Sequence, residues 1–355
     1  MLLTDKKVVV TGGTGSLGKV LIRRLLSDEL GRPRKIVVLS RDEAKQHAMR
    51  LAYQHKRRAT DEVIYHNFEQ LLQFQIGDVR DIHSVTAALR DADIVINAAA
   101  LKQVPACEYF PYEAVQTNIS GAENIVRAIR EHGLGVETVV GVSTDKACKP
   151  VNVMGMTKAI QERIFIRGNL DCPLTRIIAV RYGNVLASRG SVIPLFHEQI
   201  RSGGPVTITT ADMTRFLLSL DQAVDTIFAA LRGANRGDTF IPRVPSARVV
   251  DVAAALIGNR PIETKVTGIR PGEKVHESLV SEEEAHRTVS RDGYYVILPI
   301  LPELLSEGAD AGEKLGREYS SADELMTPEQ IVTLLTERKL MIDDRTVFDE
   351  EEMLA

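Results

Sequence analysis

The chain has 355 residues, of which 44% are hydrophobic and 26% charged, with a formal net charge of −4. That length supplies apolar material for one large domain or two intimate ones. The acidic balance excludes a general nucleic-acid binder, which needs a basic surface to track phosphates. The one basic knot, His55-Lys56-Arg57-Arg58, reads as a solvated helix end.

Strand and helix patterns alternate from the start. Lys7–Thr11 is a short apolar run ending in glycines, hence a buried strand, and Leu17, Val20, Leu21 and Leu25 then recur at helical spacing. Ile36–Ser40 is the second strand, followed by a charged helix from about Asp42 and an inserted helical stretch from about Gln54 to Leu72. Phe74–Ile76, Asp93–Asn97, Thr138–Ser143 and Arg176–Arg181 supply strands three to six. Strands separated by helices predict an α/β fold with a doubly wound parallel sheet. Residues 1–181 form the expected dinucleotide-binding domain. Residues 182–345 form a smaller substrate-binding region interleaved with the sheet, where Val206–Thr209 reads as a strand and Asp221–Leu231 as a helix. Thr327-Pro-Glu-Gln330 predicts an N-cap, a first-turn proline and a capping box for a helix running to about Leu340. Residues 346–355 form an acidic tail, with Asp349–Glu352 as a solvated terminus.

No apolar run approaches the ~20 residues that span a bilayer. The nearest, Tyr294–Leu305, contains two prolines. Lys6-Lys7 leads straight into Val8–Val10 and the glycine loop, so no secretory leader is expected. Cys107, Cys148 and Cys172 are odd in number and lack metal-ligand spacing, which suits a reducing compartment. A soluble cytoplasmic protein without a metal, a nucleic-acid partner or a membrane partner is expected.

Thr11-Gly-Gly-Thr-Gly-Ser-Leu-Gly18 follows a strand and opens a helix. Gly12, Gly15 and Gly18 permit a tight turn and let a pyrophosphate approach the backbone without a Cβ in the way. The helix start beyond them offers N–H groups and partial positive charge. Thr14, Ser16 and Leu17 complete the expected cofactor loop. An enzyme that uses NAD usually places an acid at the end of the second strand for the ribose hydroxyls. Here Ser40 is followed by Arg41, and Lys45 lies one helical turn beyond. The pair offers fixed donors and positive charge to a ribose 2′-phosphate, so NADP is expected, with NAD the alternative. Asp78 and Val79 suit an adenine contact, and Ala98, Ala99 and Ala100 suit close approach of the cofactor.

The stretch Val142–Lys158 carries an adjacent acid and amine, Asp145-Lys146, and a Met154-x-x-x-Lys158 spacing. With the segments Ala98-Ala-Ala-Leu-Lys-Gln-Val-Pro105, Ser143-Thr-Asp-Lys-Ala147, Arg181-Tyr-Gly-Asn-Val185, Met213-Thr-Arg-Phe216 and Arg270-Pro-Gly-Glu-Lys-Val-His-Glu277, the chain resembles the UDP-N-acetylglucosamine 4,6-dehydratases of bacterial polysaccharide and flagellin-sugar biosynthesis. These are extended short-chain dehydrogenases with a Rossmann sheet. The resemblance covers roughly residues 4 to 280. It implies oxidation of the sugar at carbon 4, removal of the carbon-5 proton, loss of the 6-hydroxyl as water and return of the hydride to carbon 6. The cofactor is regenerated each turn.

The resemblance also implies roles. Lys146 is the base at carbon 5 and Asp145 the acid for the leaving hydroxyl, which requires a lowered lysine pKa and a protonated carboxyl. Lys158 binds the nicotinamide ribose. Met154 stands where such enzymes usually carry Tyr, and a thioether cannot exchange a proton. A branch of the family resembles the chain in having Met there. The base for the 4-hydroxyl is then Asp145, Lys146, or a water relayed to Thr144 or Lys158. Lys102, Asn184, Arg189, Arg215, Arg270 and Glu273 are the substrate-side candidates, with the arginines facing a diphosphate. His276 reads as structural or uridine-adjacent. The expected partners are a UDP-N-acetylhexosamine and further copies of the chain. A UDP-sugar 4-epimerase and a non-catalytic dinucleotide sensor are the alternatives.

Overall fold

The structure is a computed structural model that describes residues 1–55, 62–186, 191–305 and 312–342. Its centre is a nine-stranded sheet: β1 (Lys7–Thr11), β2 (Lys35–Ser40), β3 (Leu72–Ile76), β4 (Ile94–Asn97), β5 (Thr138–Val142), β6 (Arg176–Val180), β7 (Thr239–Pro242), β8 (Thr288–Arg291) and β9 (Tyr294–Ile297). The spatial order is β8-β9-β7-β6-β5-β4-β1-β2-β3. The strands from β7 through β3 in that order run parallel, whereas β9 and β8 add antiparallel at one edge. The sheet is therefore mixed rather than wholly parallel. Its extra edge is a hairpin whose turn residues Asp292 and Gly293 have φ of 50° and 82°, the geometry that an Asp-Gly pair adopts at least cost.

Side-chain alternation along the central strands divides the apolar residues between two layers. Val8 and Val10 pack with Leu21, Ile22, Ile227 and Phe228 on one face. Val9 packs with Val85, Ile125, Ile129 and Phe165 on the other. The charged helix is Glu43–His55 and the inserted stretch holds the helix Glu62–Leu71, with Tyr53 of the first stacked on Phe68 of the second. A third apolar cluster sits in the second half of the chain, where Phe196, Val206, Leu256, Ile331 and Leu335 meet. The last described helix, Pro328–Glu337, carries the expected Thr327 capping box. It stops before Leu340 because Lys339 turns into the left-handed region with φ 54°. Among the described residues no helix is long and apolar enough to cross a membrane. The acidic tail lies outside the described residues.

This topology fixes where a ligand goes. β1 lies between β4 and β2, so the direction of winding reverses beside it, and a crevice opens at the carboxyl ends of these strands. Thr11, Ser40, Asn97 and Val142 end there.

Candidate active site

The glycine loop forms one wall of the crevice. Gly12 has φ +68°, and a Cβ placed on it would lie 2.7 Å from the Ala99 backbone. The loop and the Ala98–Ala100 segment thus run backbone against backbone. Thr11 Oγ donates to Asn97 Oδ1 at 2.6 Å and receives the Ala99 N–H at 3.2 Å, which fixes the spacing. A Cβ on Gly18 would meet Gly13 Cα at 2.4 Å, so the helix Ser16–Leu26 begins directly on the turn. No side chain caps that helix. This cradle, narrow and faced with amides, fits a dinucleotide pyrophosphate.

At the end of β2, Ser40 Oγ lies 2.9 Å from Thr14 Oγ. Arg41 reaches Asp78 at 3.5 Å and Lys45 reaches Asp42 at 2.7 Å. Both cations stand at the surface. Asp78 is also bound by Arg80, and Val79 is anchored through its carbonyl by Asn124.

Beyond β5 the chain turns through a single 3₁₀ turn, Asp145–Ala147. Asp145 is 1% exposed. Its Oδ1 accepts from the Thr144 hydroxyl at 2.8 Å and from Lys146 Nζ at 3.1 Å, while Oδ2 is buried with no hydrogen-bond partner among the described residues. Lys146 Nζ also meets Glu277 Oε1 at 3.2 Å. Glu277 is 2% exposed, and among the described residues its Oε2 likewise lacks a hydrogen-bond partner. One ammonium is therefore held between two buried carboxylates.

The electrostatics of Lys146 differ from the expectation. Burial works against its charge, but Asp145 and Glu277 outweigh burial and hold its pKa above the usual lysine value. The lysine whose pKa falls is Lys158, which burial pulls down to about 7. Lys158 Nζ donates to the Val142 carbonyl and to Gln161 Oε1. Glu277 shifts upward through burial and through the Asp145 charge.

Met154 is buried in a small apolar cluster with Cys107 and Ala114. The position after it does the structural work. A Cβ on Gly155 would lie 2.1 Å from the Lys146 carbonyl oxygen, so the helix Val153–Asp171 seats directly on the Asp145–Ala147 turn. Asn152 caps that helix through the Gly155 N–H and donates to the Gly272 carbonyl. It thereby ties the turn to the 270–277 segment. Asn118 pins the 98–101 segment by exchanging two hydrogen bonds with Leu101 and donating to Thr157.

Next to this cluster is a cavity of about 670 Å³ lined by Asn184, Ser191, Arg215, Arg270 and Glu273 among others. Arg215 donates to the carbonyls of Thr214, Lys274 and Val275. Among the described residues, Asn184 Oδ1 and Ser191 Oγ are buried without hydrogen-bond partners, which is uncommon for buried polar groups. Arg270 is exposed and lies 4.0 Å from Glu273. Lys102 is exposed on the segment after β4. His276 Nδ1 contacts the Thr214 hydroxyl at 2.8 Å, a structural placement. Arg189 lies outside the described residues.

A dinucleotide cradle, an acid–amine turn and a polar cavity on one crevice agree with a family model described as "Polysaccharide biosynthesis protein", which matches residues 8–299. The chain belongs to this family. An inverting UDP-N-acetylglucosamine 4,6-dehydratase of Campylobacter jejuni is 40% identical over 301 residues, 84% of each chain. A Rickettsia akari protein named UDP-glucose 4-epimerase is 42% identical over 301 residues, 83% of this chain and 84% of its own. The X-ray structure of Pen from Bacillus thuringiensis superposes with a TM-score of 0.84 at 31% identity, covering 96% of this chain and 100% of that one. Within this family fold, sequence reasoning passed over Glu277, Gly155, Asn118 and Asn152. Glu277 closes the Arg270–Glu277 segment, and its signal is an acid directly after His276 in a stretch otherwise read for its arginine.

Proposed function

We propose that the chain dehydrates UDP-N-acetylglucosamine to a UDP-4-keto-6-deoxy sugar, with NADP as cofactor and with inversion at carbon 5, as a precursor step for surface polysaccharide or glycan. The observation that carries this reading is the Asp145–Lys146 pair, a buried acid and a half-buried amine at the carboxyl end of β5 beside a cavity lined by arginines. Elimination needs a base at carbon 5 and an acid at the 6-hydroxyl, and this pair offers both types of group in one turn. The similarity to the Campylobacter dehydratase supports it.

A bound nicotinamide dinucleotide supplies the acceptor for the carbon-4 hydride and the donor that returns it to carbon 6. Thr144, hydrogen-bonded to Asp145 Oδ1, passes the 4-hydroxyl proton to that carboxylate. Asp145 then delivers the proton to the departing 6-hydroxyl as water. Lys146 removes the carbon-5 proton and later restores one. Asn184, Arg215 and Arg270 bind the diphosphate and sugar. Lys158 and the Gly12–Gly18 loop hold the dinucleotide, and Arg41 with Lys45 select its 2′-phosphate.

A 4-epimerase is the second reading, favoured by the name of the Rickettsia relative. It needs no elimination acid, and it relies on a tyrosine where this chain has Met154. Incubation with UDP-N-acetylglucosamine separates the two. A 4-keto-6-deoxy product, lost in Lys146→Met while NADP still binds, is expected. UDP-N-acetylgalactosamine as the sole product would establish the epimerase. Cofactor binding with no turnover of UDP-hexoses would establish a sensor.

A further inference from the structure

Lys146 presents a contradiction. Its proposed task requires a neutral amine, yet two carboxylates hold it as an ammonium. The two carboxylates are not equivalent. Asp145 Oδ1 accepts from the Thr144 hydroxyl as well as from Lys146. Among the described residues no hydroxyl donates to the Glu277 carboxylate. Its Oε1 faces Lys146, and Lys274 stands 4.0 Å from Oε2 with its own Nζ committed to the Cys148 carbonyl at 2.7 Å.

Glu277 is also held rigidly. Its N–H donates to Ser321 Oγ at 3.0 Å and its carbonyl accepts the Ser321 N–H at 2.8 Å. Ser321 Oγ meets the Thr214 hydroxyl, which in turn meets His276. The ionisable groups facing the Glu277 carboxylate are thus Asp145 and Lys146 from the catalytic turn, Lys274 from its own segment, and Arg215, whose guanidinium is fixed by three carbonyls.

We propose that Glu277 is a positioning residue that accepts a proton from Lys146 and so delivers the neutral amine that attacks the carbon-5 proton. The inference rests on the dehydratase reading given above. The transfer breaks one N–H bond of the ammonium and forms one O–H bond on Glu277, with no change in total charge. A substrate that fills the cavity expels water, and a neutral amine–acid pair loses less solvation there than an ion pair does. After Lys146 has taken the carbon-5 proton and returned one to the product, Glu277 gives its proton back. The upward shift of the Glu277 carboxyl from burial is in the right direction.

Two measurements test this on the full chain. The first is the titration of the Lys146 amine in the resting protein, followed by competitive amine labelling across pH. Glu277→Gln removes one carboxylate from the ammonium, so the Lys146 pKa drops by roughly one to three pH units. No drop overturns the proposal whatever the substrate proves to be. The second is the pH profile of kcat with UDP-N-acetylglucosamine. The wild type is flat near neutrality and falls in acid as Glu277 protonates. Glu277→Gln loses roughly 100-fold at pH 7, then regains about tenfold per pH unit toward the Lys146 pKa, with KM little changed. Glu277→Asp keeps the acid limb and recovers part of the rate. A Gln variant whose profile keeps the wild-type shape at a lower rate makes Glu277 merely structural. A wild-type chain inactive on this sugar defeats the dehydratase reading alone, because the Lys146 titration still decides the contact.

Discussion

Replacing Gly155 by alanine tests how the Asp145–Ala147 turn is held. On an unhindered helix the change stabilises by up to about 1 kcal/mol, because alanine is the better helix former. Here the added methyl lies 2.1 Å from the Lys146 carbonyl oxygen, 3.0 Å from its carbon and 3.2 Å from Pro150 Cβ. Ordinary contact between such atoms is about 3.5 Å, so the turn or the helix must retreat by more than ~1 Å. The neighbouring atoms are backbone and proline ring, which do not swing aside. Overpacking of this kind costs about 1–3 kcal/mol, so after the propensity gain a net loss of up to about 2 kcal/mol is expected. The larger effect falls on rate. Asp145 and Lys146 ride on the displaced turn, and a displacement of about 1 Å costs on the order of 100-fold. Urea unfolding of the two proteins gives the stability difference, and steady-state turnover gives the rate. An alanine variant at least as stable as the parent, with kcat within threefold, would refute this packing argument.

The remaining predictions address other contacts. Arg41→Ala with Lys45→Ala weakens NADP binding by at least roughly tenfold and leaves NAD within about threefold, as loss of charged hydrogen bonds to one phosphate predicts; titration by fluorescence quenching reads both. Arg181 is 2% exposed and binds Glu162 at 2.6 Å and Glu284 at 2.7 Å. Arg181→Met leaves the buried Glu162 without its cation and Glu284 with only the more distant Arg287 at 3.9 Å, and costs about 3 kcal/mol in urea unfolding. Burial opposes the charge of Glu284, but Arg181 outweighs it and draws the carboxyl down to about 2. The resulting stability is complete above the ordinary value of 4.5 and disappears as pH falls from there to about 2. Glu284→Gln flattens the unfolding midpoint over that window. Lys158 behaves oppositely. Burial lowers its pKa from 10.5 to about 7, so the cost of its buried charge is fully present below pH 7 and is relieved between those values. The wild type therefore gains stability relative to Lys158→Met as pH rises through that range, and parallel slopes for the two proteins would contradict the burial of the amine.

Much of the fold was legible in the sequence because the parallel strands are buried on both faces. Val8–Val10 and Ile94–Ile96 read as continuous apolar runs, and the helices between them show clean periodicity. The antiparallel edge was equally written in the chain. Asp292-Gly293 between Val289 and Tyr294–Ile297 is a hairpin signal, but the prolines that follow drew attention to a membrane question instead. The second half was harder because its strands are only three or four residues long, and a third core holds them through contacts distant in sequence.

The same limit applies to the site. Asp145 and Lys146 are neighbours in the chain, so the motif that carries them is visible at once. Glu277 reaches Lys146 across 131 positions, and only the fold shows the contact. That contact also reversed the expected direction of the Lys146 pKa, since local reasoning weighed burial without the second carboxylate. The role of Gly155 was hidden for a related reason. A glycine inside a helix looks like a defect until the carbonyl that it accommodates is in place.

The central claim is that this crevice carries out elimination, and incubation with UDP-N-acetylglucosamine in deuterated water tests it most directly. The expected product is a 4-keto-6-deoxy nucleotide sugar with solvent deuterium at carbon 5, absent in Lys146→Met. Recovery of UDP-N-acetylgalactosamine without deuterium at carbon 5 would contradict the claim.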